Sequence, residues 1–414
     1  MQQPTYQETL DYLFNRLPMF QNVGKSAYKA DLNNTIDLLN AIGNPQDKMT
    51  FIHVGGTNGK GSVSSMLASI FTQHGYKTGL YTSPHLVDFR ERIRINGQEI
   101  SEAFVIDFTQ RIKPHIETIH PSFFEITVAM AFDYFAKEKI DIGIIEVGLG
   151  GRLDSTNVIH PILSVITNVS WDHMDLLGDT LEKIALEKAG IIKQNVPVAI
   201  GEMEAAPLQV IIDKAKEMQA PYNNDWTCEP DWIDACELKG IYQRENLNTV
   251  YRAIKFLEST YRFDSDKIMH ALSQVNKNTG LRGRWEILKT SPLVIADTAH
   301  NYPGVKMVMQ QLMETVGSMK LHIVWGMVGD KDRKEILKLL PTTAAYYFTK
   351  PSVIRGLDAT ILQEDASGYH LKGNTFETVG KALEYLLENC DADDIIYVGG
   401  STFIVADAIS FFEH

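Results

Sequence analysis

The sequence predicts a two-domain α/β protein: a mainly parallel sheet carrying a phosphate-gripping P-loop turn, followed by a smaller open α/β sheet of Rossmann-like layout. Three observations carry this. Short apolar runs alternate with helix-periodic stretches along most of the chain. A glycine-rich turn joins one such run to one such helix near the start. A polar stretch without period interrupts the alternation at 276–283.

The first element is the strand 49–52, after which comes His53-Val54-Gly55-Gly56-Thr57-Asn58-Gly59-Lys60-Gly61-Ser62. Val63, Met66, Leu67, Ile70 and Phe71 then recur at the spacing of one helix face, so an amphipathic helix should start near Ser62. Glycines at 55, 56, 59 and 61 allow successive N–H groups to converge on one oxyanion, while the helix start and Lys60 add positive charge. The competing reading is a plain strand-to-helix corner. A lysine with both flanking elements in place favours the phosphate grip. The common P-loop has Ser or Thr directly after the lysine to hold Mg²⁺; here Gly61 intervenes, so some other residue must bind the metal.

Further buried strands are expected at 78–82, 141–147, 162–169 and 196–201, with helices at 126–138, 181–192 and 207–219. Such alternation builds a parallel sheet with ligands at the carboxyl ends of its strands. From 221 to 240 the period fades into a stretch expected to hold short antiparallel strands, and helices are expected at 246–257 and 266–275. The polar, glycine-containing segment 276–283 reads as a hinge or linker, giving domains 1–278 and 284–414. After it strands are expected at 293–296, 321–325, 344–348 and 395–398, with helices at 304–316, 334–340, 378–388 and 403–412.

Composition narrows the function. A chain of 414 residues, 44% apolar and 22% charged, is long enough for two cores. Its net charge of -13 argues against non-specific nucleic-acid binding, which needs Lys and Arg to neutralise phosphates. Cys228, Cys236 and Cys390 have neither metal-ligand nor C-x-x-C spacing, as in a reducing compartment. The N-terminus lacks a signal peptide's basic flank and apolar stretch, and no apolar run approaches the ~18 residues of a membrane span. A cytoplasmic protein is expected.

Residues able to do chemistry fall at the strand ends. Ser83 follows the second strand and Glu146 closes one that is otherwise Ile, Val and Gly. As hard oxygen donors they can replace the hydroxyl that Gly61 lacks, since Mg²⁺ takes one or two protein oxygens beside ATP phosphates and water. The plainer alternatives are a turn serine and a carboxylate paired with an arginine. Asp172-His173 follows the strand 162–169, where a neutral imidazole can take a metal position or simply hydrogen-bond. Lys188 lies in an expected helix, and spacing alone reads it as a solvated charge. In the second domain Asp297 and His300 lie between a strand and a helix, and Arg284 follows the linker, either as a binding group or as half of a surface ion pair.

Taken together, Gly56 to Ser62, Thr82-Ser83-Pro84-His85, Glu91-Arg92-Ile93-Arg94-Ile95-Asn96-Gly97, Glu146 to Asp154 and Glu187-Lys188-Ala189-Gly190-Ile191 resemble the folylpolyglutamate synthases of the Mur ligase superfamily. The likeness continues through Gln243-x-x-Asn246, Gly283-Arg284-Trp285-Glu286, the run 297–301, Asp330-Lys331-Asp332 and Gly400-Ser401, nearly the whole chain in order.

Position by position, the resemblance implies ATP phosphates on Gly59, Lys60, Gly61 and Ser62, with Asn246, Arg284 and Asp297 completing the nucleotide site. It implies Mg²⁺ on Ser83, Glu146 and His173, and a second Mg²⁺ on Lys188 converted by CO₂ to a carbamate, which reverses the solvated-charge reading. The pterin-bearing substrate is expected near Ser122, Phe123, Phe124 and Glu125 and near Leu153, Asp154 and Ser155, where aromatic faces can stack on a flat ring. His300 and Ser401 are candidates for holding L-glutamate. Lys60, Lys188, His173 and His300 are thus the expected catalytic set. The chain departs from the family at Thr298, usually Gly, and at Tyr242, frequently His.

The implied reaction joins L-glutamate to the γ-carboxylate of a folate through an acyl phosphate made from ATP, by a monomer. Dihydrofolate synthase activity, with dihydropteroate as acceptor, is the nearest rival. A cell-wall Mur ligase is disfavoured by Lys60-Gly61-Ser62, where those enzymes usually carry Lys-Thr-Thr or Lys-Thr-Ser. A catalytically dead nucleotide-binding module is opposed by the presence together of Ser83, Glu146, His173 and Lys188.

Overall fold

The computed structural model describes residues 4–17, 31–329 and 333–413. The chain forms two compact units, Met1–Glu237 with Gln243–Leu281, and Leu238–Tyr242 with Arg282–His414.

The strands of the first unit are β1 (Phe51–Gly55), β2 (Thr78–Tyr81), β3 (Ile93–Ile95), β4 (Gln98–Glu99), β5 (Ile142–Glu146), β6 (Leu163–Ile166), β7 (Val198–Ile200) and β8 (Tyr222–Asn223). They form one eight-stranded sheet in the order β4-β3-β2-β5-β1-β6-β7-β8. All neighbours from β2 to β8 run parallel, and β3 and β4 add an antiparallel edge. Every residue of β1 and β5 is buried, as expected for central parallel strands covered by helices on both faces.

The helix after the glycine turn spans Lys60–Gln73, starting two residues before Ser62. It is buried from Gly61 through Phe71, so it has no solvated face. The amphipathic expectation gives way because helices Ser265–Leu272 and Val275–Thr279 pack against it. Ser69 Oγ satisfies itself by donating to the Ala271 carbonyl at 2.7 Å and accepts from Asn278 Nδ2 at 2.9 Å.

That packing takes in the start of the stretch 276–283, expected as a hinge or linker. Residues Val275–Thr279 are helical, with Val275 and Thr279 buried and the Thr279 hydroxyl donating to the Val275 carbonyl at 2.7 Å. The helix is too short to show a period. The boundary between the units falls between Leu281 and Arg282. The stretch 221–240 likewise holds only β8, parallel to β7, and the helix Pro230–Ala235 in place of antiparallel strands. Proline suits the first helical turn, where its missing N–H is not needed, and Trp232 is buried.

The second unit carries β9 (Glu286–Thr290), β10 (Leu293–Ala296), β11 (Leu321–Trp325), β12 (Ala345–Thr349), β13 (Gly373–Phe376) and β14 (Ile395–Gly399). Their order is β13-β12-β11-β14-β10-β9, parallel throughout except for β9. The edge strands β9 and β13 were not expected from the sequence because they are largely exposed and lack an apolar run. Asp330-Lys331-Asp332 lies outside the described residues.

Candidate active site

Strand order brings the expected site residues of the first unit to one edge. β2, β5, β1 and β6 are adjacent and parallel, so the loops after them share the carboxyl side of the sheet. In register, Glu146 lies beside Val54, and Gly55 beside Ile166. Ser83 follows two residues after Tyr81, the end of β2, and its N–H donates to Glu146 Oε2 at 3.3 Å. The Ser83 backbone and a buried carboxylate therefore meet beside the glycine turn. Among the described residues no three His, Cys, Asp or Glu side chains cluster as a metal site. The oxygens of Ser83 and Glu146 fit a hard cation that takes its remaining ligands from phosphate and water.

The glycine turn is held in a shape that needs glycine. Gly56 has φ 147° and Gly59 has φ 82°, and a Cβ on Gly56 would stand 1.9 Å from Thr167 Oγ1. Gly59 ends the turn as the N-cap of the helix Lys60–Gln73. A Cβ there would meet Asn246 Oδ1 at 2.1 Å, which places Asn246 against the turn. Asn246 Nδ2 donates to Gln243 Oε1 at 2.8 Å, and Gln243 Nε2 donates to Ser62 Oγ at 3.2 Å. Asn246 thus lies with Gly59 to Ser62.

Two lysines meet at the turn. Lys60 Nζ donates to the carbonyls of Gly56 and Thr57, both at 3.0 Å, and Lys188 Nζ donates to Gly56 O at 2.9 Å. Lys188 is 3% exposed, contrary to the solvated-charge reading that spacing supports. Burial, and then the charge of Lys60, push its ammonium down to about 7. The loop after β5 is pinned to the end of the helix Leu181–Ala189, which carries Lys188: Arg152 N–H donates to the Glu187 carbonyl at 2.7 Å, and Asn157 Nδ2 reaches the carbonyls of Arg152 and Gly190, both at 3.0 Å.

The loop after β6 clamps the turn through residues that sequence reasoning did not single out. Asn168 accepts from Thr57 N–H on its carbonyl at 3.0 Å and from Asn58 N–H on Oδ1 at 2.9 Å. Thr57 Oγ1 accepts from Ser170 N–H at 3.0 Å, and Thr167 Oγ1 donates to the Asn58 carbonyl at 2.5 Å. The available signal was their position at a strand's carboxyl end just before Asp172-His173. His173 follows on this loop with φ 48°; its N–H donates to Asp172 Oδ1 at 2.9 Å and its Nε2 lies 3.8 Å from that atom.

The clamp makes a prediction. Replacing Asn168 with alanine should raise the KM for ATP roughly three- to tenfold, the worth of one buried hydrogen bond. Asn168→Asp keeps the acceptor but adds negative charge beside the glycine turn, so it should raise KM further. Steady-state kinetics decide: an aspartate variant better than the alanine one contradicts the placement.

The residues expected to meet the pterin divide. Ser122 and Glu125 form a capping box at the start of the helix Phe123–Glu138, with Ser122 N–H donating to Glu125 Oε2 at 2.5 Å and Glu125 N–H to Ser122 Oγ at 3.3 Å. Phe123 is 3% exposed and packs among Phe14, Phe89 and the Arg92 guanidinium. Phe124 is half-buried, and a Cβ on Gly148 would stand 2.4 Å from its ring. Asp154 caps the short helical turn Ser155–Val158, and its Oδ2 accepts from Leu149 N–H at 2.8 Å. Leu153 is half-buried and Ser155 buried beside it.

In the second unit Asp297 leaves β10 and Ser401 follows β14; the two strands are parallel neighbours, so both residues lie at one sheet edge. Asp297 Oδ2 accepts from Tyr242 OH at 2.5 Å and from Trp285 N–H at 2.7 Å, and Oδ1 from Ala299 N–H at 2.8 Å. Burial raises its carboxyl, against these bonds and the Arg284 charge. The two departures from the family pattern sit here. Tyr242 holds Asp297, and Thr298 Oγ1 accepts from the Arg284 guanidinium while donating to the Gly283 carbonyl at 3.1 Å. His300 Nδ1 lies 2.9 Å from the Thr298 carbonyl, and Ser401 Oγ accepts from Phe403 N–H at 3.3 Å.

Comparison with known proteins follows the same division. The family model of the Mur ligase middle domain matches residues 54–220, and that of the Mur ligase glutamate ligase domain matches residues 283–402. The dihydrofolate synthase/folylpolyglutamate synthase of Bacillus subtilis is 31% identical, over 97% of this chain and 98% of its own. The folylpolyglutamate synthase of Lacticaseibacillus casei is 29% identical over 97% of each chain. The solved structure of E. coli FolC in complex with DHPP and ADP has a TM-score of 0.86 at 28% identity, covering 99% of this chain and 98% of that one. The Yersinia pestis bifunctional folylpolyglutamate synthase/dihydrofolate synthase with Mn, AMPPNP and L-glutamate bound has a TM-score of 0.85 at 27% identity, with both chains covered in full, 100% each.

Proposed function

The chain belongs to the Mur ligase family, among its folylpolyglutamate and dihydrofolate synthases, and on that premise we propose that it adds L-glutamate to the γ-carboxylate of a folate at the expense of ATP. The observation that carries the reading is the gathering of Lys60, Lys188, Asn246 and the Ser83–Glu146 pair around one glycine turn.

A carboxylate does not condense with an amine at neutral pH because its carbon is a poor electrophile. Its oxygen instead attacks the γ-phosphorus of ATP in line, the bond to the β-phosphate oxygen breaks, and an acyl phosphate and ADP result. The neutral amine of L-glutamate then attacks the acyl carbon, phosphate leaves, and an amide forms. The N–H groups of Gly59, Lys60, Gly61 and Ser62 face the phosphates, with Lys60 offsetting charge on the transferring oxygens. Asn246, Arg284 and Asp297 are the further residues we assign to the nucleotide. Ser83, Glu146 and His173, with Lys188 as a carbamate, are the residues we assign to two Mg²⁺, which supply charge neutralisation at the phosphates when bound. Phe124 and Asp154 take the pterin, and His300 and Ser401 the incoming glutamate.

Dihydropteroate is the second acceptor to consider, since relatives carry both activities in their names and one is solved with DHPP. ADP release should depend on glutamate together with a pterin acceptor; comparing tetrahydrofolate with dihydropteroate separates the two activities. Glutamate-independent ADP release, or none with either acceptor, contradicts the reading. We take the chain to act as a monomer in a reducing, cytoplasmic setting, in keeping with its three free cysteines. Sedimentation checks the first point.

A further inference from the structure

His53 is a polar side chain in the middle of the sheet. It lies in β1, fully buried, one strand residue from the glycine turn, in a row otherwise of Phe, Ile, Val and Gly. A buried imidazole in a central strand costs desolvation unless its donor is used. One ring nitrogen is used: Nε2 lies 2.9 Å from Thr156 Oγ1. Nδ1 is buried with no hydrogen-bond partner.

The direction of these bonds follows from donor counting. Burial raises the Asp154 carboxyl, but backbone N–H groups of Thr156 and Leu149 donate to its two oxygens and favour the carboxylate, so Oδ1, 2.5 Å from Thr156 Oγ1, accepts the one hydroxyl hydrogen of Thr156. The threonine oxygen must then accept from His53, so the imidazole is the neutral Nε2–H tautomer and its Nδ1 lone pair is the orphaned one. Burial pushes the imidazole down to about 3, which keeps it neutral. Thr156 adds its own N–H to Asp154 Oδ1 at 3.0 Å, and Leu149 N–H holds Oδ2 at 2.8 Å. The result is a directed chain from the sheet interior, His53 to Thr156 to Asp154, ending where Asp154 Oδ2 lies beside Gly148 and Phe124.

We propose that His53, acting through Thr156, is a positioning residue that fixes the Asp154 carboxylate beside Phe124 and so sets the affinity for the pterin-bearing substrate. This rests on the assignment of Asp154 to that substrate. A Thr156 hydroxyl without the imidazole can rotate, and can leave Asp154 for another acceptor. Fixing it removes that freedom, which is how an outer partner orients a contact group.

The chain of bonds is tested by kinetics with both substrates varied. Thr156→Val, which removes the hydrogen bond to the carboxylate, and His53→Asn, which puts no donor at the Nε2 position and frees the threonine hydroxyl, should each raise the acceptor KM about tenfold, within the range of one or two lost hydrogen bonds. The KM for ATP and the Kd for ADP should stay within about twofold, below the effect of one lost hydrogen bond. Thr156→Ser and His53→Gln keep hydroxyl and donor and should retain the acceptor KM; they also show that the fold tolerates substitution. Equal changes for ATP and acceptor, or no change for either, overturn the proposal. Asp154→Asn separates the layers. If it raises the acceptor KM while Thr156→Val and His53→Asn do not, the relay falls and the pterin assignment stands. If it leaves the acceptor KM unchanged, the assignment itself fails and the relay with it.

Discussion

Replacing Lys60 with alanine should lower turnover by roughly 10² to 10⁴, the scale on which a lost contact to developing charge is felt in the transition state. The expectation follows from where the ammonium lies. Its Nζ sits over the carbonyls of Gly56 and Thr57, inside the curve of a turn whose N–H groups suit an oxyanion. Those carbonyls are weak partners for a full charge, and phosphate oxygens are strong ones. Arginine should not restore the activity, because a planar fork does not replace a compact ammonium in a turn of this size. Turnover of the alanine variant within tenfold of the parent contradicts the role assigned to Lys60.

Lys188 carries the second large effect. An amine adds CO₂ only in its neutral form, giving a carbamate and releasing a proton. Burial and the neighbouring charge of Lys60 bring the Lys188 ammonium down to about 7, so above that pH the amine is neutral and below it protonated. Activity should therefore fall as the pH drops through about 7. Stability follows the same sign: between the ordinary 10.5 and about 7 the unfolded chain binds a proton that the folded chain does not, so stability declines as the pH falls through that window. Lys188→Ala should lose at least about 10² in turnover, as for other charged groups at a phosphoryl-transfer site. Acetate, which supplies a carboxylate in place of the proposed carbamate, should restore part of it. A Lys188→Ala variant of near-parental activity, or a rate indifferent to pH between 6 and 8, contradicts the carbamate, the window being set by that value of about 7.

Much of this was legible in the residues. Apolar runs such as Ile142–Glu146 gave the central strands, because a parallel strand buried on both faces shows as an unbroken apolar stretch. The turn at 55–62 was legible because only glycine tolerates the φ of Gly56 and Gly59. What stayed hidden depended on distance in sequence. Lys188 lies 132 residues from Gly56, whose carbonyl it meets, and nothing in its own helix marks it as buried. Asn168 is as remote from Asn58, 110 residues away, and looks like any loop asparagine. Edge strands such as β13 hid for the opposite reason: exposed on both sides, they carry no pattern for a hydrophobic period to reveal. The helix Val275–Thr279 did not show because it is too short for a period: Asn276 and Lys277 are exposed, and only Asn278 turns to the buried helix, donating to Ser69.

The account stands on the glycine turn as the place where the triphosphate is held. A crystal structure with a non-hydrolysable ATP analogue and Mg²⁺ addresses this directly. The phosphates should lie on the N–H groups of Gly59 to Ser62, with Lys60 Nζ turned from Gly56 toward the γ-phosphate and a cation against Ser83 and Glu146. A triphosphate bound away from that turn, with Lys60 still on the carbonyls of Gly56 and Thr57, would contradict it.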